Sequence, residues 1–217
     1  MTAGLLSALS RMLGPDVGCG VELVEGTYGL FPEEWTAILQ AVDIRKAEFA
    51  AGRRAARKAL SGIGCGEVSL PVGADRAPVW PDGATGSITH DQGVALAVAI
   101  LRTGAQTIGI DLTEAAPLPD GVREQVLRHP GETQLDELEA RSAFSAKETL
   151  FKALSPHVGH VFGFSAAVVR PDLHAGTFEA RLLHPLGPFP EGQVWSGGIA
   201  IADDRLLTAL VLSDDCS

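Results

Sequence analysis

No apolar run in the 217 residues reaches the ~18 positions that a membrane-crossing helix needs, because charges, glycines and prolines interrupt every candidate. The first sixteen residues, MTAGLLSALSRMLGPD, lack the leading positive charge and the long apolar stretch of a secretory signal. Cysteine is scarce: Cys19, Cys65 and Cys216 are odd in number, far apart and in no metal-ligand spacing. These absences predict a soluble, cytoplasmic chain with free thiols. Basic residues are also in deficit, with 17 Lys and Arg against 27 Asp and Glu and a formal charge of −10. That balance argues against bulk nucleic-acid binding, which calls for a basic face. What is present is 46% apolar and 20% charged, so a disordered or collagen-like chain is excluded. The length suits one large domain or two of roughly 100 residues, enough for a real core.

The charge is unevenly placed. Residues 1–106 balance at −2 and residues 107–217 at −8. Within the first part Arg45, Lys46, Arg53, Arg54, Arg57 and Lys58 crowd into fourteen positions, opposed only by Glu48. One concentrated basic helix on an acidic protein suggests a local site for a small polyanion. Arg54 and Lys58 read as a solvated face.

Periodicity predicts helices over Pro32 to Val42, Asp43 to Leu60 with Asp43 as N-cap, Pro119 to Arg128 and Leu135 to Leu154. Strands are predicted at Ser87 to His90, Val94 to Leu101, Thr107 to Leu112, Val161 to Arg170, Thr177 to Leu183, Gln193 to Asp203 and Leu206 to Ser213. A hairpin turn is expected at Asp91-Gln92-Gly93. Strands interleaved with one long helix per half predict an α+β fold. The best junction is Arg102-Thr103-Gly104-Ala105, giving an N-terminal half, 1–106, and a C-terminal half, 107–217.

Helical wheels place several charges beside apolar stripes. Phe49, Ala56 and Leu60 share one direction; Arg45 and Arg53 fall about 40° to either side of it, and Arg54 and Lys58 point away. An arginine so placed must pair with a carboxylate or reach a ligand, and both remain open for Arg53. Glu48 is an internal partner for either arginine. In Phe144 to Leu154, Phe144, Phe151 and Leu154 define the apolar side. Glu148 lies about 40° from Phe144, and Lys147 between Phe151 and Leu154. Lys152 follows Glu148 at i+4 in one row. Position on the wheel favours a cleft over a solvated pair.

Two further segments carry chemistry. Thr107-Ile108-Gly109-Ile110-Asp111 puts an acid at the end of an apolar strand, where ligand groups are commonly carried. Asp111 with Glu148 offers two hard oxygens that suit Mg²⁺ completed by water and phosphate. Arg76 to Gly83 leads into Gly86-Ser87-Ile88-Thr89-His90-Asp91, where Arg76, hydroxyls and an imidazole are suitable donors to phosphate oxygens. Trp80 reads as packing or as the border of a nucleotide site.

These segments, in this order, resemble the 4′-phosphopantetheinyl transferases. The likeness is to the larger, pseudo-dimeric type that activates surfactin and enterobactin synthetases, closest to the enterobactin synthase component D branch. It rests on Arg45-x-x-Glu48-Phe49-x-x-Gly52-Arg53-x-x-Ala56-x-x-Ala59-Leu60 and on Pro78-Val79-Trp80-Pro81 through Gly86-Ser87-Ile88-Thr89-His90. It continues with Gly109-Ile110-Asp111 and Phe144-Ser145-Ala146-Lys147-Glu148-Thr149-Leu150-Phe151-Lys152-Ala153.

The resemblance implies a monomer of two similar α/β halves with coenzyme A and Mg²⁺ (or Mn²⁺) in the cleft between them. It implies transfer of the phosphopantetheine arm to a serine of an apo carrier protein, releasing adenosine 3′,5′-bisphosphate, in siderophore or secondary-metabolite biosynthesis. Asp111 and Glu148 would match the metal ligands, Glu148 the group that deprotonates the serine, and Lys152 the pyrophosphate lysine. Arg45, Arg53, Arg76 and His90 would match residues holding the coenzyme's phosphates, with Ser87 and Thr89 beside them.

The sequence departs from the family at the second acid of Asp-x-Glu: Thr113 stands there, with Glu114 next. Thr113 contributes no charge and would bind Mg²⁺ only weakly, through water, and Glu114 would leave a continuing strand on the opposite face unless a local bulge swings it inward; either is a candidate further metal ligand. The departure motivates two alternatives, a non-catalytic coenzyme A- or carrier-binding paralogue and a hydrolase of the coenzyme's pyrophosphate. Neither nucleic acid nor membrane is an expected partner. The carrier-docking surface is expected to be apolar or locally basic, since the chain itself is acidic.

Overall fold

Gln92 and Gly93 both take positive φ, 39° and 83°, which is the geometry of the two-residue turn that suits twisted antiparallel strands. They join β2 (Ala84–Asp91) to β3 (Val94–Leu101), so that Asp91 pairs with Val94 and Ala84 with Leu101. The computed structural model describes residues 2–102 and 106–213; Thr103, Gly104 and Ala105 of the expected junction, and Cys216, lie outside them. β3 also pairs with β1 (Gly18–Leu23), giving an antiparallel sheet ordered β1-β3-β2. A second antiparallel sheet is ordered β4-β8-β7-β6-β5. Its strands are β4 (Thr107–Glu114), β5 (Ala167–Asp172), β6 (Thr177–Leu182), β7 (Val194–Ala202) and β8 (Arg205–Leu212).

Each sheet carries one long helix, and the two are seated by the same device. On α3 (Asp43–Gly62), a Cβ at Gly20 of β1 would stand 2.0 Å from the Ala55 carbonyl oxygen. On α5 (Glu137–Val158), a Cβ at Gly109 of β4 would stand 2.1 Å from the Thr149 carbonyl oxygen. Only glycine lets backbone approach backbone so closely. The α+β fold of two similar halves is therefore as expected. Apolar packing under α3 centres on Ala55, Ala59, Leu60, Leu70 and Ala97, and under α5 on Leu150, Leu154, Phe178 and Trp195.

A third core lies at the seam, where α1 (Thr2–Leu13) inserts Leu5 and Leu9 against Leu96 and Val98 of β3, Ile108 and Ile110 of β4, and Leu207 of β8. The strands β2 and β4 face each other across this seam without a backbone ladder. Side-chain hydroxyls take its place: Ile110 N donates to Ser87 Oγ at 3.1 Å and Leu112 N to Thr89 Oγ1 at 3.2 Å. At one end Arg205 of β8 pairs with Asp91 at 3.2 Å.

Several expectations need correction. Val42, not Asp43, caps α3, and Asp43 is its first residue. The helix expected over Pro32 to Val42 is only α2 (Pro32–Thr36). The one expected over Pro119 to Arg128 shrinks to α4 (Val122–Val126). A capping box of Asp136 and Glu139 starts α5, which continues past Leu154 through Pro156 until Gly159 turns left-handed at φ 72°. Residues 164–166 form a 3-10 turn, so β5 begins only at Ala167. β2 begins three residues before the expected Ser87, β1 was not expected, and the remaining strands lie within two residues of the expected bounds. No helix of the described residues is long and apolar enough to cross a membrane.

Arg54 is not on a solvated face. Its guanidinium pairs with Glu22 at 3.1 Å, donates to the Tyr28 and Leu23 carbonyls, and stacks 3.9 Å from the Tyr28 ring. The segment after β1 folds back over α3 and covers that side too, so a wheel read against one apolar stripe points Arg54 the wrong way. Lys58 is exposed as expected and pairs with Glu22 at 2.6 Å. Arg57 is also buried, on Glu34 of α2 at 2.8 Å. Glu34, fully buried, accepts from Leu70 N and Phe31 N as well.

Candidate active site

One face of α5 carries Arg141, Ser145, Glu148 and Lys152, spaced at four, three and four residues, and this face looks onto β4. Because Gly109 brings strand and helix together, the side chain of Asp111, two residues on, falls among them. Lys152 Nζ donates to Asp111 Oδ1 at 2.8 Å and to the Ile110 carbonyl at 2.9 Å. Thr89 Oγ1 donates to Asp111 Oδ1 at 3.2 Å, and Ser145 Oγ donates to Asp111 Oδ2 at 2.9 Å. Asp111 is buried and held from three directions.

Glu148 stands beside this pair, half-buried, with no hydrogen bond or ion pair to another described residue. Burial pushes its carboxyl above the ordinary range, the charge of Asp111 pushes it further, and Lys152 pulls it back. A carboxylate left free of partners yet raised in basicity is fitted to accept a proton. Glu148 also borders a largely apolar groove of about 240 Å³ with Leu150, Phe151, Phe162 and Phe164.

The other wall of the cleft comes from the first sheet and α3. His90, at the end of β2, lies with Nε2 2.8 Å from Arg45 Nη1. Arg45 also reaches Glu48 at 3.3 Å, and His90 Nδ1 lies 3.8 Å from Glu48. Burial pulls the imidazole below its ordinary range; Glu48 opposes this, while the cations of Arg45 and Lys152 add to it. With Arg45 donating, Nε2 is the acceptor and the ring proton sits on Nδ1. The charge of Lys152 reaches His90 across the seam, and Thr89 of β2 bonds Asp111 of β4 there. Arg53 is buried behind Arg45, donates through Nε to the Leu70 carbonyl at 2.7 Å and stacks 4.1 Å from the Phe49 ring. Its pKa is lowered to about 10, chiefly by burial.

Asp111, Glu148 and Lys152 thus come together, with Arg45, Glu48 and His90 opposite. Other sequence-predicted residues do not join them. Arg76 is exposed in a turn with φ 69°, with no side-chain bond to Arg45 or His90. Ser87 and Thr89 are buried with their hydroxyls spent on β4, so they hold the seam and Asp111 rather than face the cleft. Lys147 is turned from the cleft into the core, where it pairs with fully buried Glu132 at 2.9 Å. Thr113 accepts a hydrogen bond from Arg141 at 3.2 Å, and Glu114 is drawn outward to Gln92 at 2.9 Å. Sequence reasoning passed over Ser145 and Arg141. The signal was available, because both continue the helical row of Glu148 and Lys152.

Residues 33–100 match the family model of the 4′-phosphopantetheinyl transferase N-terminal domain. The chain is 39% identical over 195 residues to 4′-phosphopantetheinyl transferase Svp of Streptomyces mobaraensis, covering 85% of this chain and 79% of that protein. It is 33% identical over 195 residues to 4′-phosphopantetheinyl transferase Npt of Nocardia iowensis, covering 82% and 87%. Enterobactin synthase component D of Salmonella typhimurium is 41% identical over 135 residues, 58% of this chain and 54% of that protein.

Proposed function

The chain belongs to the 4′-phosphopantetheinyl transferases, and from that premise we propose that it moves the phosphopantetheine arm of coenzyme A to a serine hydroxyl of an apo carrier domain, with Mg²⁺, releasing adenosine 3′,5′-bisphosphate. The observation that carries the assignment of roles is Glu148 standing free beside the Lys152–Asp111 pair.

The residues fit a divalent cation of the hard, oxygen-seeking kind. Asp111 and Glu148 supply carboxylate oxygens, and Asp111 Oδ2 has accepted only one hydrogen bond. No group of three or more His, Cys, Asp or Glu suited to a metal occurs among the described residues. A pair of carboxylates completed by phosphate and water is the usual Mg²⁺ arrangement, whereas an all-protein cage is not. When bound there, Mg²⁺ would supply charge neutralisation for the pyrophosphate.

The remaining work falls to side chains. Glu148 accepts the proton of the carrier serine as that oxygen attacks the phosphorus bearing the pantetheine arm. The new P–O bond forms as the bond to the bridging oxygen breaks, and the bisphosphate carries away the electron pair. Lys152, partly exposed, donates to the oxygens on which charge accumulates. Arg45 and His90 orient the coenzyme's phosphates from the opposite wall, with Arg53 backing them.

The test is mass spectrometry of apo peptidyl, aryl and acyl carrier domains after incubation with the protein, coenzyme A and Mg²⁺. A gain of one phosphopantetheine on the serine is expected. No gain on any carrier, with a known transferase active in parallel, overturns the proposal. Phosphopantetheine released without a carrier would indicate hydrolysis instead.

A further inference from the structure

Behind Asp111 lies a row of three buried hydroxyls that the proposed chemistry does not use. Ser145 Oγ is 2.9 Å from Asp111 Oδ2 and 2.9 Å from Thr208 Oγ1, which in turn is 2.7 Å from Thr149 Oγ1. Ser145, Thr149 and Thr208 are all fully buried. Thr208 sits directly opposite Asp111 in the β4–β8 register, and Ser145 precedes Glu148 by one helical turn.

The direction of this row follows from counting protons. A carboxylate only accepts, so the single Ser145 proton goes to Asp111 Oδ2. Ser145 can then only accept from Thr208, so Thr208 accepts from Thr149, whose proton goes to the hydroxyl at 2.7 Å over the Thr208 carbonyl at 3.4 Å. Three hydroxyl dipoles therefore point the same way, toward one carboxylate oxygen, in an interior where such chains reinforce one another. On the other oxygen, Thr89 and Lys152 complete the fixation.

We infer that Ser145, backed by Thr208 and Thr149, is a positioning residue: it fixes the Asp111 carboxylate in the orientation in which that group and Glu148 together receive the divalent cation. This rests on the metal reading given above. Partners of this type, one step behind a metal ligand, typically change metal affinity or activity by about 10–100-fold when removed.

The experiment measures Mn²⁺ binding to the full chain with coenzyme A present, by electron paramagnetic resonance of the free ion, alongside melting temperature. Ser145→Ala should weaken Mn²⁺ binding by about tenfold, the lower end of that range, and Ser145→Thr, which restores a hydroxyl, should recover it. Thr208→Val should act in the same direction but less. The double variant Ser145→Ala/Thr208→Val should bind Mn²⁺ no more weakly than Ser145→Ala alone, because Thr208 acts only through Ser145. Wild-type affinity in Ser145→Ala, or additive losses in the double variant, would overturn the inference. Should Ser145→Ala fail to fold, Thr208→Val, close to isosteric, decides alone: unchanged affinity refutes it. No Mn²⁺ binding by the wild-type protein refutes the metal reading itself, and the two failures are thereby told apart.

Discussion

Lys152 meets Asp111 at 2.8 Å and also donates to the carbonyl of the residue before it, and the other half of the molecule repeats this pairing. There Lys58 meets Glu22 at 2.6 Å and reaches the Val21 carbonyl at 3.4 Å. Each acid follows by two residues the glycine that seats the long helix, Gly109 or Gly20. The halves diverge four residues before each lysine. Glu148 stands open in one, whereas Arg54 in the other is spent on Glu22 and backbone carbonyls. The same frame thus holds a half-buried, unpaired carboxylate on one side and a closed ion pair on the other.

Glu148→Gln keeps the shape and removes the proposed base, so turnover should fall by at least about 100-fold while coenzyme A still binds. Steady-state kinetics with calorimetry of coenzyme A binding checks this. The pH dependence has a definite sign. The folded-state pKa of Glu148 is raised above the ordinary 4.5, so its contribution to stability is present below that value and is lost as pH rises through the folded pKa. At neutral pH the Gln variant should melt no lower than wild type, and any advantage should vanish in acid. Transfer by the wild-type protein should decline as pH falls through the raised pKa.

Arg45→Gln removes the cation that bonds His90 and faces the cleft. Charged hydrogen bonds are worth about 1.5–3 kcal/mol, so KM for coenzyme A should rise by about 10- to 100-fold with a smaller change in kcat. A change in kcat alone would contradict a role in holding phosphate.

Glu34→Ala strips the fully buried acceptor shared by Arg57, Leu70 N and Phe31 N. Removing the buried partner of an interior ion pair costs about 3–5 kcal/mol. Urea unfolding should show a loss of that size, although Glu34 touches none of the cleft residues.

Gly109→Ala would press a methyl against the Thr149 carbonyl and force β4 from α5, costing about 1–3 kcal/mol or more and separating Asp111 from Lys152. Gly66→Ala, where nothing lies within 4 Å, should leave both melting temperature and transfer near wild type. Similar losses in the two variants would refute the seating argument.

Local signals foretold much of this. The Gln92-Gly93 turn, the course of α3 to within two residues of its end at Gly62 and the row of Glu148 and Lys152 on α5 were legible because each depends on residues a few positions apart. Arg54 was misread, and the partners of Lys147, Ser87 and Thr89 were not foreseen, because each of these residues answers to a partner 15 to 32 positions away. The wheel identifies a buried direction but not what waits there. Nor did the pattern reveal α1, whose leucines fill a core shared by both sheets.

From the sequence alone came the ingredients: a cation-rich helix, an apolar strand carrying Asp111 (inside β4 rather than at its end, since pairing with β8 runs on to Glu114), a helix presenting Glu148 and Lys152, and the order of motifs that mark the family. Tertiary structure decided which charges are spent and which stay available. Close approach at Gly109, hydroxyls that stitch β2 to β4, and a segment folded over α3 are long-range contacts, and a one-dimensional pattern encodes their residues but not their pairing. Hence Arg54 and Lys147 are sealed into ion pairs, while Glu148 is left open beside Asp111.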